Sequence, residues 1–95
     1  MQVHIHVSAT RHGLPEREVE ALWRSGIEDT WLDGRDPVRL LRIAIDQAGA
    51  VWELIALVFD GGDRHLVIHA MRLRKVTVTL LERRDRGGRR DLRDH

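Results

Sequence analysis

The chain has 95 residues, enough for one hydrophobic core and too few for two. Its 16 basic side chains nearly cancel its 15 acidic ones, which excludes a globally polycationic RNA-coating protein and leaves any anion binding to local arrangement. Cysteine is absent, so a disulfide framework, a thiolate metal site and a cysteine nucleophile are excluded as well.

Residues 2–7 alternate Val3, Ile5 and Val7 with Gln2, His4 and His6, a strand pattern and not the apolar core of a signal peptide. No run approaches transmembrane length, so a soluble, cytoplasmic protein without membrane association is expected. Pro15 then suits the first turn of a helix over 15–24. Glu16, Glu18 and Glu20 lie near its positive end, and Val19, Leu22 and Trp23 fall at helical spacing. The stretch from Asp29 to Pro37 reads as a loop pinned to the core by Trp31, the one tryptophan placed to stack on a base, whereas Trp23 and Trp52 read as core.

From Arg39 to Asp46 the alternation of Leu41, Ile43 and Ile45 predicts a strand, and 47–50 a glycine-containing turn. Val51–Asp60, apolar but for Glu53, predicts a central strand covered on both faces. Asp60-Gly61-Gly62-Asp63 predicts a hairpin returning through a strand over Arg64–Met71. The segment 72–83 fits either a strand, by its Val and Thr content, or a helix, by the spacing of Val76 and Leu80. From Glu82 onward six arginines oppose four acids, and 84–95 is expected to be a disordered Arg-rich tail. The order predicts a small single α+β domain over 1–83 with a mainly antiparallel sheet, β-α-β-β-β plus a C-terminal helix or strand.

Candidate chemistry concentrates on the last strand and its exit, at Arg64, His65, His69, Arg72, Arg74 and Lys75. Cleaving RNA through its own 2′-hydroxyl needs a base, a proton donor to the leaving oxygen and fixed cations, which His, Arg and Lys supply without metal or cofactor. Simple alternation puts His65 and His69 on one face and makes His69 the best-placed imidazole. The bland alternative is a core histidine beside arginines on a solvated edge. His4 and His6, at i and i+2, have chelating spacing, but two ligands complete no metal site, and none is assigned. Arg11-His12-Gly13 precedes the helix, where backbone amides receive phosphates, although three glutamates crowd the same turn.

Arg11-His12-Gly13-Leu14 with Glu18-Val19-Glu20-Ala21-Leu22, then Arg42-Ile43-Ala44 and the run Leu66–Arg74, resemble the small RelE-like toxins of bacterial toxin–antitoxin pairs, in their BrnT-like branch. The usual opening W-D/N-x-x-K segment is replaced here by the histidine strand, and most lysines of the active face are missing. The resemblance implies a RelE/BrnT-like fold and a ribonuclease that arrests growth, masked by a cognate antitoxin, as a homodimer or a toxin–antitoxin hetero-oligomer. It also implies a phosphate-holding role for Arg72 and Arg74, with His69 in the strand that places them. The candidate catalytic set is therefore His69, Arg72 and Arg74, with Arg64, His65, Lys75, Arg42 and His12 along the RNA. The alternative is a non-catalytic protein- or nucleic-acid-binding module that works only in a complex.

Overall fold

The computed structural model describes residues 1–32 and 36–83. Strand β1 (Gln2–Ile5) leads through a single 3-10 turn (Val7–Thr10) to helix α1 (Glu16–Arg24); strands β2 (Glu28–Trp31), β3 (Val38–Ile45), β4 (Val51–Phe59) and β5 (Arg64–Arg72) follow. Helix α2 occupies 75–83. The five strands form one sheet in the order β1-β5-β4-β3-β2, antiparallel except where β1 lies parallel to β5. The α+β architecture is the expected one, with one strand more than the alternation predicts. No helix among the described residues is long and apolar enough to cross a membrane.

The additional strand is β2, which replaces the start of the expected loop. Its residues Glu28-Asp29-Thr30-Trp31 show no apolar alternation because an edge strand needs only one ladder neighbour, here β3. Trp31 accordingly sits on the sheet edge with 54% of its surface exposed and does not pin a loop into the core. At the other edge β1 ends at Ile5, two residues earlier than predicted, and Val7 turns out to solvent. The ambiguous segment divides: β5 runs to Arg72, and 75–83 is helical. The expected tail over 84–95 lies outside the described residues.

Helix α1 forms where Glu16 and Glu18 meet the positive end of the dipole and Arg24 the negative end, with a Glu20–Arg24 pair at 3.0 Å along its exposed side. Its buried side, Val19, Leu22 and Trp23, packs on Leu54, Ala56 and Val67 from the centre of the sheet. Trp23 is wholly buried; its indole N–H donates to His65 Nδ1 at 3.0 Å. Arg42 lies 4.2 Å above the Trp23 ring, donates to the Trp23 carbonyl at 2.7 Å and grips Asp29 of β2 through two hydrogen bonds.

That arginine runs directly past Gly26, where an added Cβ would collide with Arg42 Cγ and Cδ. Gly26→Ala must therefore push out a side chain held at three points. It is expected to destabilise the domain by roughly 1–3 kcal/mol, read as a lower urea midpoint with unchanged slope. An unchanged midpoint would mean that Arg42 moves freely.

The β4–β5 ladder is interrupted at one place. Ile55 faces His69 and Ala56 faces Val67, so Ile68 is an extra, unpaired residue, a β-bulge. Its carbonyl instead accepts the Ser8 hydroxyl at 2.6 Å from the 3-10 turn. The bulge reverses the alternation of β5. His65 and Val67 point toward α1, whereas His69, beyond the bulge, points to the opposite face; the expectation that both histidines share a face is corrected by this single inserted residue.

Candidate active site

On the sheet face away from α1, β4 carries Glu53, fully buried between Trp52 and Leu54, which point into the α1 core. Four groups converge on its carboxylate. Oε1 accepts the Thr77 hydroxyl at 2.6 Å and the Arg74 backbone N–H at 2.9 Å; Oε2 accepts Arg74 Nη2 at 2.7 Å and lies 3.0 Å from His69 Nε2. Arg74 Nε reaches both oxygens at 3.2 Å. Burial by itself would raise this acid's pKa, but the Arg74 guanidinium, the Thr77 hydroxyl, the Arg74 amide and His69 together hold it at about 2. Glu53 is a buried, fully ionised carboxylate at neutral pH.

The same contacts explain why the chain turns into α2 at this point. Arg74 immediately precedes the helix, and the N–H groups of Thr77 and Val78 donate to its carbonyl, so Glu53 lies at the positive end of α2 and fastens it to the sheet. Thr77, buried on the inward side of that helix, completes the attachment.

The Glu53 carboxylate can only accept, so a hydrogen bond at His69 Nε2 puts a proton on that nitrogen; in the neutral ring Nδ1 is then the acceptor. The ring stays partly open to solvent, at 23% side-chain exposure, and the His12 ring stands 6.2 Å from it in an edge-on arrangement inclined by 68°. His12 arrives from the loop between the 3-10 turn and α1. His69 thus shares Glu53 Oε2 with the Arg74 guanidinium and has the His12 ring beside it near the end of β5.

The structure does not gather all the candidate residues there. His69, Arg74 and His12 come together, and Lys75 is exposed at the start of α2 beside them. Arg72 leaves β5 on the α1 face, with its guanidinium 5.1 Å over the Trp52 ring, across the sheet from His69. Arg64 lies at the far end of β5, about 16 Å along the strand from His69, over Phe59 and 3.2 Å from Asp60. His65 is buried beneath Trp23, and burial followed by the nearby Arg42 charge keeps its pKa below the ordinary imidazole value. Arg42 is held by Asp29 and Trp23. Trp31 lies three strand spacings from β5, about 14 Å, on the α1 face. His6 Nδ1 is engaged with Ser8, and no group of three or more acidic or histidine side chains among the described residues has metal-site spacing.

Thr77 carried no signal in the sequence, and Glu53 stood out only as the single acid of its strand. The available signal was the position of Glu53: a single carboxylate inside a nine-residue apolar central strand must find buried partners. No family model matches the chain, and no curated protein or solved structure matches it either.

Proposed function

We propose that the protein is a metal-independent endoribonuclease of the RelE type, BrnT-like branch, serving in the cytoplasm as the toxin of a toxin–antitoxin pair. The observation that carries this reading is the Glu53-held His69 facing His12 across 6.2 Å. Neighbouring imidazoles in this arrangement let a phosphate lying along their edges reach a nitrogen of each through hydrogen bonds of about 2.8 Å. His69 Nδ1 takes the proton of a ribose 2′-hydroxyl, and the 2′-oxygen attacks phosphorus. The bond to the 5′-oxygen breaks, and that oxygen receives its proton from protonated His12. The products are a 2′,3′-cyclic phosphate and a free 5′-hydroxyl. The N–H groups of Arg74 not engaged by Glu53 face the charge that builds on the phosphorane oxygens. Arg72, across the sheet, has no step in this sequence.

The test uses purified protein and a 5′-labelled single-stranded RNA in the presence of a chelator. Cleavage leaving cyclic phosphate ends is expected, with His69→Ala and His12→Ala each slowing it by about 10²–10⁴ and Arg72→Ala by less than about tenfold. Intact RNA with folded protein, or cleavage indifferent to both histidines, would refute the assignment. Growth arrest on induced expression, relieved by a co-expressed antitoxin and lost in the His69 variant, tests the toxin role.

A further inference from the structure

At the far side of the sheet from β2, strand β1 has a bare outer edge. It pairs with β5 on one side and with no strand on the other among the described residues. The N–H groups of Gln2 and His6 donate to the Asp63 and Val67 carbonyls at 2.7 and 2.9 Å. Even-numbered residues therefore turn their backbone groups to β5, and Val3 and Ile5 turn theirs outward. Proteins protect such edges with charge, proline or a bulge. The opposite edge, β2, carries Glu28 and Asp29, whereas residues 2–6 have none of these devices. The 3-10 turn that follows folds back toward β5, where Ser8 meets Ile68.

Two imidazoles stand on this same edge. Val3 and Ile5 pack against the α1 core, so His4 points to the opposite face, and His6, with extended backbone at φ −75° and ψ 149°, follows it there. Both histidines are exposed. His6 Nδ1 lies 2.8 Å from Ser8 Oγ, whose own proton goes to the Ile68 carbonyl; Nδ1 can therefore donate to that oxygen and leave Nε2 for a metal. One chain offers only this pair, and a closed tetrahedral site needs four ligands.

We infer that β1 pairs antiparallel with β1 of a second copy, and that His4 and His6 of both copies together hold one divalent transition metal of the kind that favours imidazole. The register follows from the backbone. With the two-fold axis at Ile5, its outward N–H and C=O meet those of its copy, and His4 of each chain faces His6 of the other. These are non-hydrogen-bonded pairs, with Cα atoms about 4.5 Å apart. The two pairs are separated by about 7 Å along the strands. Four imidazoles thus stand at the corners of one small rectangle on one face, placed to meet an ion at Zn–N distances of about 2.0 Å. Arg64, on that face beside Gln2, is drawn to Asp60. A second copy is the occupant because the missing ligands are histidines at this same spacing on an uncharged strand edge. The metal is structural, and the inference rests on nothing in the cleavage reading.

The experiment is sedimentation velocity with metal analysis on the untagged, intact chain, in chelator and in a zinc titration. A monomer is expected in chelator and a dimer holding one zinc per two chains in zinc. The Ile5 amide should exchange at least about tenfold more slowly in the dimer, because it gains a cross-strand acceptor. His4→Ala and His6→Ala should each raise the zinc concentration needed for dimerisation at least about tenfold, His4→Ala with an unchanged melting temperature in chelator. A monomer at every zinc concentration, zinc bound without dimerisation, a dimer that persists in chelator, or one indifferent to His4→Ala would overturn the inference. So would a zinc dimer whose Ile5 amide stays unprotected, since the contact would then lie elsewhere. RNA cleavage by His4→Ala at the parent rate keeps this result separate from the nuclease assignment.

Discussion

Replacing Glu53 by alanine is expected to cost roughly 3 kcal/mol of folding stability, visible as a melting temperature lower by about 10–20 °C. The carboxylate is the common acceptor for Arg74, Thr77 and His69, and it joins α2 to the sheet. Its removal leaves the buried Thr77 hydroxyl without its acceptor and opens a space beneath the helix. The expected cost sits at the lower end of what breaking a buried pair entails, because the Arg74 side chain is 46% exposed and can turn to water. Glu53→Gln should fall between the two proteins, keeping the volume but presenting an amide nitrogen where an acceptor is needed. The double substitution Glu53→Leu with Thr77→Val separates stability from chemistry. It should recover much of the lost stability, since a well-packed apolar pair can replace a buried polar one, while leaving His69 without the partner that sets its tautomer. A Glu53→Ala protein that melts within about 2 °C of the parent would show that α2 is held by its apolar contacts alone.

Acid should unfold the same attachment without any substitution. The folded-state pKa of Glu53, about 2, lies below the ordinary 4.5, so its ionised form is favoured by folding. The associated stability is fully present above about pH 4.5 and is lost as the pH falls through about 2. That difference corresponds to roughly 3 kcal/mol, and because the half-exposed Arg74 is the largest stabilising partner, screening by water reduces it to roughly 2 kcal/mol. Urea midpoints measured from pH 6 to pH 2 should decline mainly across the lower half of that range. In Glu53→Gln the decline should flatten; an unchanged slope in that variant would place the acid sensitivity elsewhere. His65 contributes with the same sign at higher pH. Its pKa is lowered, chiefly by burial, so its share is present above the ordinary imidazole value of 6.5 and fades as the pH falls through the lowered one.

Legible in the sequence were the α+β class, a helix expected at 15–24 and formed over Glu16–Arg24, four of the five strands and both turns of the β3–β4–β5 meander. These features depend on neighbours in the chain. Leu41 and Ile43 are buried on one face of β3 and Leu40 and Ala44 on the other, Ile45 at its end is exposed, and the Gly61–Gly62 pair adopts φ of 66° and 101° in the hairpin. The edge strand β2 escaped notice because its pairing is made by backbone groups, which every sequence possesses. His69 and Arg74 were found as candidates by residue type and position, and His12 by the turn it occupies.

Only the tertiary structure decided which of these residues meet. The bulge at Ile68 exists because of how β5 pairs with β4 and how Ser8 reaches its carbonyl, and neither partner is near it in sequence. That one residue sends His65 to the α1 core and His69 to the opposite face. The same holds for Glu53, whose four interactions span 16 to 24 positions of sequence separation or arise at the start of α2. Local periodicity carries the conformation of each segment, whereas the site depends on ladder register and on the partners of one buried charge, which are properties of the assembled sheet.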